Sequence, residues 1–451
     1  MRFIRYAAGV SLAAALAFGQ APSDIQQQID QLRQQIDQLE QAQKVAARQK
    51  ELADEDASAK AKNAAAVTAD TSGFTIRSND GNFLLKVGAD IQIDSRSPFG
   101  EGSSGLSDTI LLRRVRPTFS GTIYHYVDYF IRPDFGGGQT IIYDAYAELK
   151  YFSRFKLRVG KFKPPVGLER LQSDDDTSFV ERGLPTLLVP SRDIGFQLSG
   201  DFVKGRVGYQ IGVFNGVPDN GLSDAAASIH RDYAARIFLT PFAPDNESPL
   251  RGLGFGIGTT SGNVDGEALP SYKTFGQNSF LPFASGVSEA GHRTRLAPQA
   301  YYYAGPFGLY TEYGLTQEGL QKGNARTNVG FRAWQVQASY ILTGEHKSFA
   351  SPTPKHSFDP ANGGWGAWEI AVRTGGFSAD QALFADGFAS PTAAARVVRE
   401  RVASLNWYLN RLFRVSLDYG NSVFGGGGTA ATGGNRPEEK VVILRFQINF
   451  I

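Results

Sequence analysis

The 451-residue sequence has no cysteine, a single methionine at position 1 and five histidines. Without cysteine there is no disulfide scaffold, no thiolate zinc site and no cysteine nucleophile. The histidines (His125, His230, His292, His346 and His356) share no motif, so neither a metal cluster nor a cofactor site is expected. No G-x-S-x-G elbow, P-loop or H-E-x-x-H occurs, and Gly425–Gly428 opens no helix pattern, which argues against an enzyme. Net charge is also scarce. With 46 basic against 44 acidic residues the formal +2 excludes a bulk polyanion binder such as a nucleic-acid protein. Apolar runs of the ~20 residues needed for a membrane helix are missing too. What is abundant is glycine (51), phenylalanine (32) and tyrosine (18), a composition of many strands and turns.

The N-terminus reads as an address. Two arginines in residues 1–6 precede the alanine-rich apolar stretch Ala7 to Phe18, with small residues at Ala17 and Gly19. Residues 1–19 are expected to be a signal peptide cut before Gln20, with a buried N-terminal helix as the alternative. Across residues 20–41, Ile25, Ile29, Leu32, Ile36 and Leu39 are spaced by alternating steps of four and three, a short coiled-coil seam. A solvated glutamine-rich linker helix is the bland alternative. Residues 42–72 lose the seam, become rich in Ala, Lys, Asp and Glu, and are expected to form a tether.

From residue 73 the period is two. In 114–124, Val115, Pro117, Phe119, Gly121 and Ile123 alternate with Arg114, Arg116, Thr118, Ser120, Thr122 and Tyr124. In 141–150, Ile141, Tyr143, Ala145, Ala147 and Leu149 oppose Asp144, Tyr146, Glu148 and Lys150. At the C-terminus Val442, Leu444, Phe446, Ile448 and Phe450 oppose Arg445, Gln447 and Asn449. About sixteen such segments, at roughly 24 residues per strand and connection, suit tilted membrane strands. Charges recur on the polar face, and aromatics gather at strand ends (Tyr124, Tyr126, Tyr129; Tyr301 to Tyr303; Trp407, Tyr408). The fold class expected is all-β: a sixteen-stranded transmembrane antiparallel β-barrel over residues 73–451. Pro117 speaks against a continuous ladder unless a local bulge absorbs it.

Several motifs occur in a fixed order. They are Arg113-Arg114-Val115-Arg116, the run Gly160 to Glu169, Val180-Glu181-Arg182, Pro190 to Phe196 and Phe214-Asn215-Gly216. Leu342-Thr343-Gly344-Glu345 and Gly366-Ala367-Trp368-Glu369 complete the series. Together, over roughly residues 80–451, they resemble the phosphate-selective porin O and P family of bacterial outer-membrane channels. The resemblance implies a homotrimeric porin in outer-membrane lipid, with a third loop folded inward at about 166–192. It also implies an N-terminal extension in the periplasm, where the coiled coil could contact the cell wall or other copies.

Period two turns Arg114, Arg116, Arg132, Lys150, Lys156, Arg158, Arg206, Arg236, Arg295, Arg373, Arg414 and Arg445 toward the lumen. It turns only Asp134, Asp144, Glu148, Glu312, Glu369 and Asp418 with them. The expected anion-binding residues are Arg114, Arg116, Arg132, Lys150, Arg158, Arg236, Arg373, Arg414 and Arg445 on the wall. Lys163 at the loop entrance, and Arg170 and Arg192 on the loop, join them. A cationic lining favours anions, phosphate included. The bland reading makes these arginines wall braces. The loop also carries Glu169, Asp174, Asp175, Asp176 and Glu181, which weighs against strict phosphate specificity; the aspartates could face arginines, bind a divalent cation or lie in water. The expectation is an anion-preferring porin. A general porin, or a non-conducting structural or adhesive barrel, is the alternative.

Overall fold

Alternating side chains become hydrogen-bonded ladders. In the computed structural model, which describes residues 22–63, 65–70, 73–103, 106–222 and 229–450, sixteen antiparallel strands run from Phe83–Phe99 to Glu439–Phe450. Each pairs with the next, and the last returns to the first, from Lys440 opposite Phe99 to Phe450 opposite Ala89. The sheet therefore closes on itself and satisfies its own backbone, the condition for strands in lipid. The expected signal peptide lies outside the described residues.

The faces are the reverse of a soluble protein's. Ile110 (77 % exposed), Phe196 (60 %) and Phe446 (53 %) point outward, while Asp94, Arg116, Asn406 and Arg445 are buried inside. At one end the connections are tight, as at Tyr124–Tyr126, 153–154, 203–206 and 409–412; at the other they are long, including 163–192, 268–286 and 380–394. Three connections break this rule: 240–252 and 342–366, at the short-turn end, have loop length, and 323–324, at the other end, is a tight turn. Aromatics ring the short-turn end on the outside, with Tyr126 against Tyr151 (4.8 Å) and Trp368 stacked on Trp407 (5.0 Å). Tyr301, Tyr303 and Tyr408 are not part of that ring. Tyr301 and Tyr303 stack inside the barrel, Tyr301 also on Phe349, and buried Tyr408 donates to Glu369.

Residues 22–63 form a unit of their own, a helix over Pro22–Asn63. It continues well past residue 42, where the sequence suggested a tether, because Ala, Lys, Glu and Gln are strong helix formers. Ile25, Ile29, Leu32, Ile36 and Leu39 are all exposed on it. The barrel unit opens with a hairpin, Ala66–Asp70 and Gly73–Arg77, also inside the expected tether. Its second strand pairs with Leu84 to Val87, the foot of the first barrel strand beyond the reach of the last.

Pro117 needs no bulge. The ladder to the next strand stops at Phe119 opposite Ile131, and the following rung would set Pro117 against Pro133, so two missing donors coincide. Bulges lie elsewhere. Gln92 pairs with Arg114 but Ile93 with Leu112, leaving Arg113 extra; Arg132 pairs with Asp144 but Pro133 with Ile142, leaving Tyr143 extra.

Across the closing seam Arg445 and Asp94 are register partners, both fully buried, joined by two hydrogen bonds of 2.6 and 2.8 Å. Asp94→Ala should destabilise the barrel by about 3–5 kcal/mol, because it leaves a buried guanidinium without its main partner. Urea unfolding followed by tryptophan fluorescence reads this, and an unchanged midpoint would show that the seam does not need the pair.

Candidate functional site: an arginine-lined path

The connection 163–192 folds into the lumen and is held there by both apolar and polar contacts. Phe179 and Val180 pack on Phe275, Ala371, Val402, Val441 and Ile443. Leu184 and Leu188 join Tyr272, Phe280, Phe331, Phe377, Leu383 and Phe388 in a core under the long-loop end. Glu312 accepts the amides of Leu168 (2.9 Å) and Glu169 (3.1 Å), and Asp418 accepts that of Val180 (2.9 Å). At Gly183 a Cβ would lie 1.7 Å from the Gln335 side-chain oxygen, so a larger residue there would have to turn that amide aside. From the short-turn end, Ser351 of the 342–366 connection donates its amide to Asp176 (2.8 Å) and its hydroxyl to the Asp175 carbonyl (2.9 Å).

This anchoring divides the residues expected to line the pore. Arg373, Arg414 and Arg445 donate to the loop carbonyls of Glu181, Thr177 and Val180, so all three brace the loop, Arg445 while also holding Asp94. Arg295 is locked on Asp219 and Asp232. Lys150 pairs with Asp128 (2.7 Å), and Arg206 lies exposed in a turn rather than in the lumen. Arg236 bonds only amides, Gln299 (3.0 Å) and Gln210 (3.1 Å). The inner wall also carries acids that the alternation missed: Asp90, Asp94, Asp232, Glu289, Glu318, Glu400 and Glu439 are all buried. A two-to-one cationic wall is therefore not what the structure shows. Charges on the wall are close to balanced, many acids lying beneath the inward loops.

The bias is local, in the space left open. A cavity of ≈ 440 Å³ is lined by Arg113, Arg114, Arg116, Arg170, Arg182 and Lys273 against Asp134, Asp174 and Glu181. One of ≈ 200 Å³ carries Arg132, Arg158, Lys163 and Arg192 against Asp144 alone. A third, ≈ 370 Å³, carries Arg132, Arg411 and Arg414 against Asp175 and Asp176. Arg113 was missed by period-two reading, Lys273 lies in a loop beyond its reach, and Arg182 stands on the inward loop with Arg170 and Arg192. The signal for Arg113 was its neighbour: of two adjacent arginines in a strand one would face lipid, at about 2–4 kcal/mol near the midplane, unless a bulge turns both inward. Ile141 and Tyr143, expected outside, likewise line the largest cavity, because the bulge reverses the alternation at Tyr143.

Asp174 is the hub. It bonds Arg116 and Arg182 and lies 3.5 Å from Arg114. Burial would push its carboxyl up, but Arg114, Arg182 and Arg116 hold it well below the ordinary range. Its negative charge therefore persists in mild acid. Asp176 behaves oppositely: burial pushes it up, only partly offset by the Ser351 amide. Burial, then Arg192 and Arg182, push the Lys163 ammonium well below its usual value. Burial brings Arg170 down to about 10, still charged at neutrality, and its partners are neutral: Thr186 carbonyl, Asn220 and Ser191.

A family described as phosphate-selective porin O and P matches residues 85–450. Among solved structures, the outer membrane channel DcaP of Acinetobacter baumannii is similar, with 11% identity over 82% of this chain and 98% of its own, TM-score 0.54. An anion-selective porin from Comamonas acidovorans aligns at 10% identity over 82% and 100% of the two chains, TM-score 0.50. OmpT of Vibrio cholerae in its trimer form aligns at 10% over 81% and 99%, TM-score 0.50. At these identities the likeness is one of fold. No curated protein matches the chain.

Acidification protonates Asp176, whose carboxyl is raised, earlier than an ordinary aspartate, and adds charge to Lys163, whose ammonium is lowered. Both changes favour anions, so anion preference should rise between about pH 7 and 5. One charge about 10 Å away in a water-like medium is worth ~0.4 kcal/mol, so anion preference should rise about twofold per group. Reversal potentials at the two pH values check this, and Asp176→Asn combined with Lys163→Gln should flatten the response.

Proposed function

The chain belongs to the phosphate-selective porin O and P family, and from that premise we propose a water-filled, anion-preferring channel of the bacterial outer membrane. It would admit phosphate or other small anionic solutes passively. The observation that carries this reading is the charge around the open space: in each of the three cavities cations outnumber acids, although the wall as a whole is nearly balanced. Low-dielectric walls focus such a field onto the path. Arg114, Arg116, Arg132, Arg158, Lys163, Arg170 and Arg192, with Arg113 and Arg182, are the lining residues in this reading. The anion-selective Comamonas porin supports the same direction. The acids at Asp174, Asp175, Asp176 and Glu181 favour a general anion preference over strict phosphate specificity.

By the usual asymmetry of bacterial barrels the short-turn end faces the periplasm. Residues 1–19 would direct export, and the Pro22–Asn63 helix would lie in the periplasm. Trimers, as in the Vibrio OmpT form, would bring three exposed heptad seams together, so that a seam too short to hold alone could zip. Contact with the cell wall is a further role open to this helix.

Reconstituted in a planar bilayer under a potassium chloride gradient, the channel should show a reversal potential of the anion-preferring sign, shrinking as salt rises. Cation preference would overturn the reading, and absence of channels would favour a structural barrel. Phosphate titrated into chloride should reduce chloride conductance at low concentration if a phosphate seat exists; indifference marks a general anion porin. Arg170→Gln strands no carboxylate and should lower anion preference about twofold.

A further inference from the structure

Tyr143 sits where two of the cavities meet. Arg116 and Tyr143 itself line the largest one, while Arg192 and Asp144 line the smallest. The guanidinium carbons of Arg116 and Arg192 both lie 3.8 Å from the centroid of the Tyr143 ring. The stack therefore forms a partition between the two cationic spaces. Its presence in the lumen depends on the bulge, which places Tyr143 and Asp144 on the same side of the sheet.

We propose that Tyr143 is the positioning residue of this path: its ring holds Arg116 and Arg192 together at the partition. The proposal rests on the anion-channel reading above. Two guanidinium groups so close repel each other, and each is already held by carboxylates. Arg116 faces Asp134 (2.7 Å) and Asp174, and Arg192 faces Asp144 (3.2 Å). The negative face of an aromatic ring offsets that repulsion without neutralising either charge. Both guanidinium groups keep their ion-pair partners, and the ring adds a second hold that fixes where the two paired cations sit relative to each other. A lipid-facing tyrosine, as strict alternation would have it, could do none of this.

The test compares Tyr143→Phe, which keeps the ring, with Tyr143→Leu and Tyr143→Met, which remove it. The chloride-to-potassium permeability ratio is measured in dilute salt. Heat-modifiable gel mobility and conductance in concentrated salt verify that each barrel is intact. Both ring-free variants should lower the ratio at least about threefold, with Tyr143→Phe rescuing it, since even an exposed cation–π contact is worth about that factor and these arginines are buried. The proposal fails if an intact ring-free barrel keeps the wild-type ratio, or if Tyr143→Phe loses as much as Tyr143→Leu. Its failure is distinguishable from that of the channel reading, which is scored on the sign of the wild-type reversal potential alone. A ring-dependent shift in the ratio is read whatever that sign.

Discussion

A guanidinium turned toward hydrocarbon near the membrane midplane costs about 2–4 kcal/mol, and an unpaired backbone group there costs as much or more. Much of this structure follows from that constraint. Sixteen strands close so that the ladder serves itself, and a fully buried cross-strand pair, Arg445 with Asp94, lies inside the closing seam. Where the sequence places Arg113 beside Arg114, the regular alternation gives way to a bulge and both turn inward. A second bulge brings Tyr143 and Asp144 to the same side two strands on. Both irregularities enrich the same stretch of lumen in arginine and its partners.

Gathering so many charges inside a barrel creates the opposite difficulty, since buried ions need partners. The inward loop resolves much of it by using wall residues as anchors. Glu312 and Asp418 take loop amides, and Arg373, Arg414 and Arg445 take loop carbonyls. Many wall acids end beneath the loops rather than along the path. Near-neutral composition and locally positive cavities are therefore compatible: charges of both signs are spent on seating the loops, and what lines the remaining space is unevenly shared.

Barrel class and a last strand at the C-terminus were legible because period-two alternation and turn residues are local signals. Arg114, Arg116 and Arg132 could be placed in the lumen for the same reason, whereas the inward loop was expected only from the family resemblance. Which of the lumenal cations brace and which line open space was not legible, since Arg445 and Arg170 look alike until the loop is seated. Arg113 and Tyr143 were hidden by one-residue bulges, each of which reverses the face of what precedes it. Asp90 and Asp94 alternate with Ala89, Ile91 and Ile93 and were open to the same reading, although that strand was not counted. Glu318 was masked by the neighbouring inward Leu320, which packs in the core under the loops. The helix beyond residue 42 lost its seam but kept its propensity, so composition suggested a tether where the backbone stays helical.

The anchors of the inward loop also order events in time. Its contacts reach Glu312, Ser351, Asp418 and Arg445, between 144 and 265 residues further along the chain. Loop-closure entropy makes such contacts late ones. A chain that has paired only its first dozen strands has a wall but no finished aperture. The narrow part of the channel takes shape only when the final strand comes home, so the unit that filters solutes also records that assembly is complete.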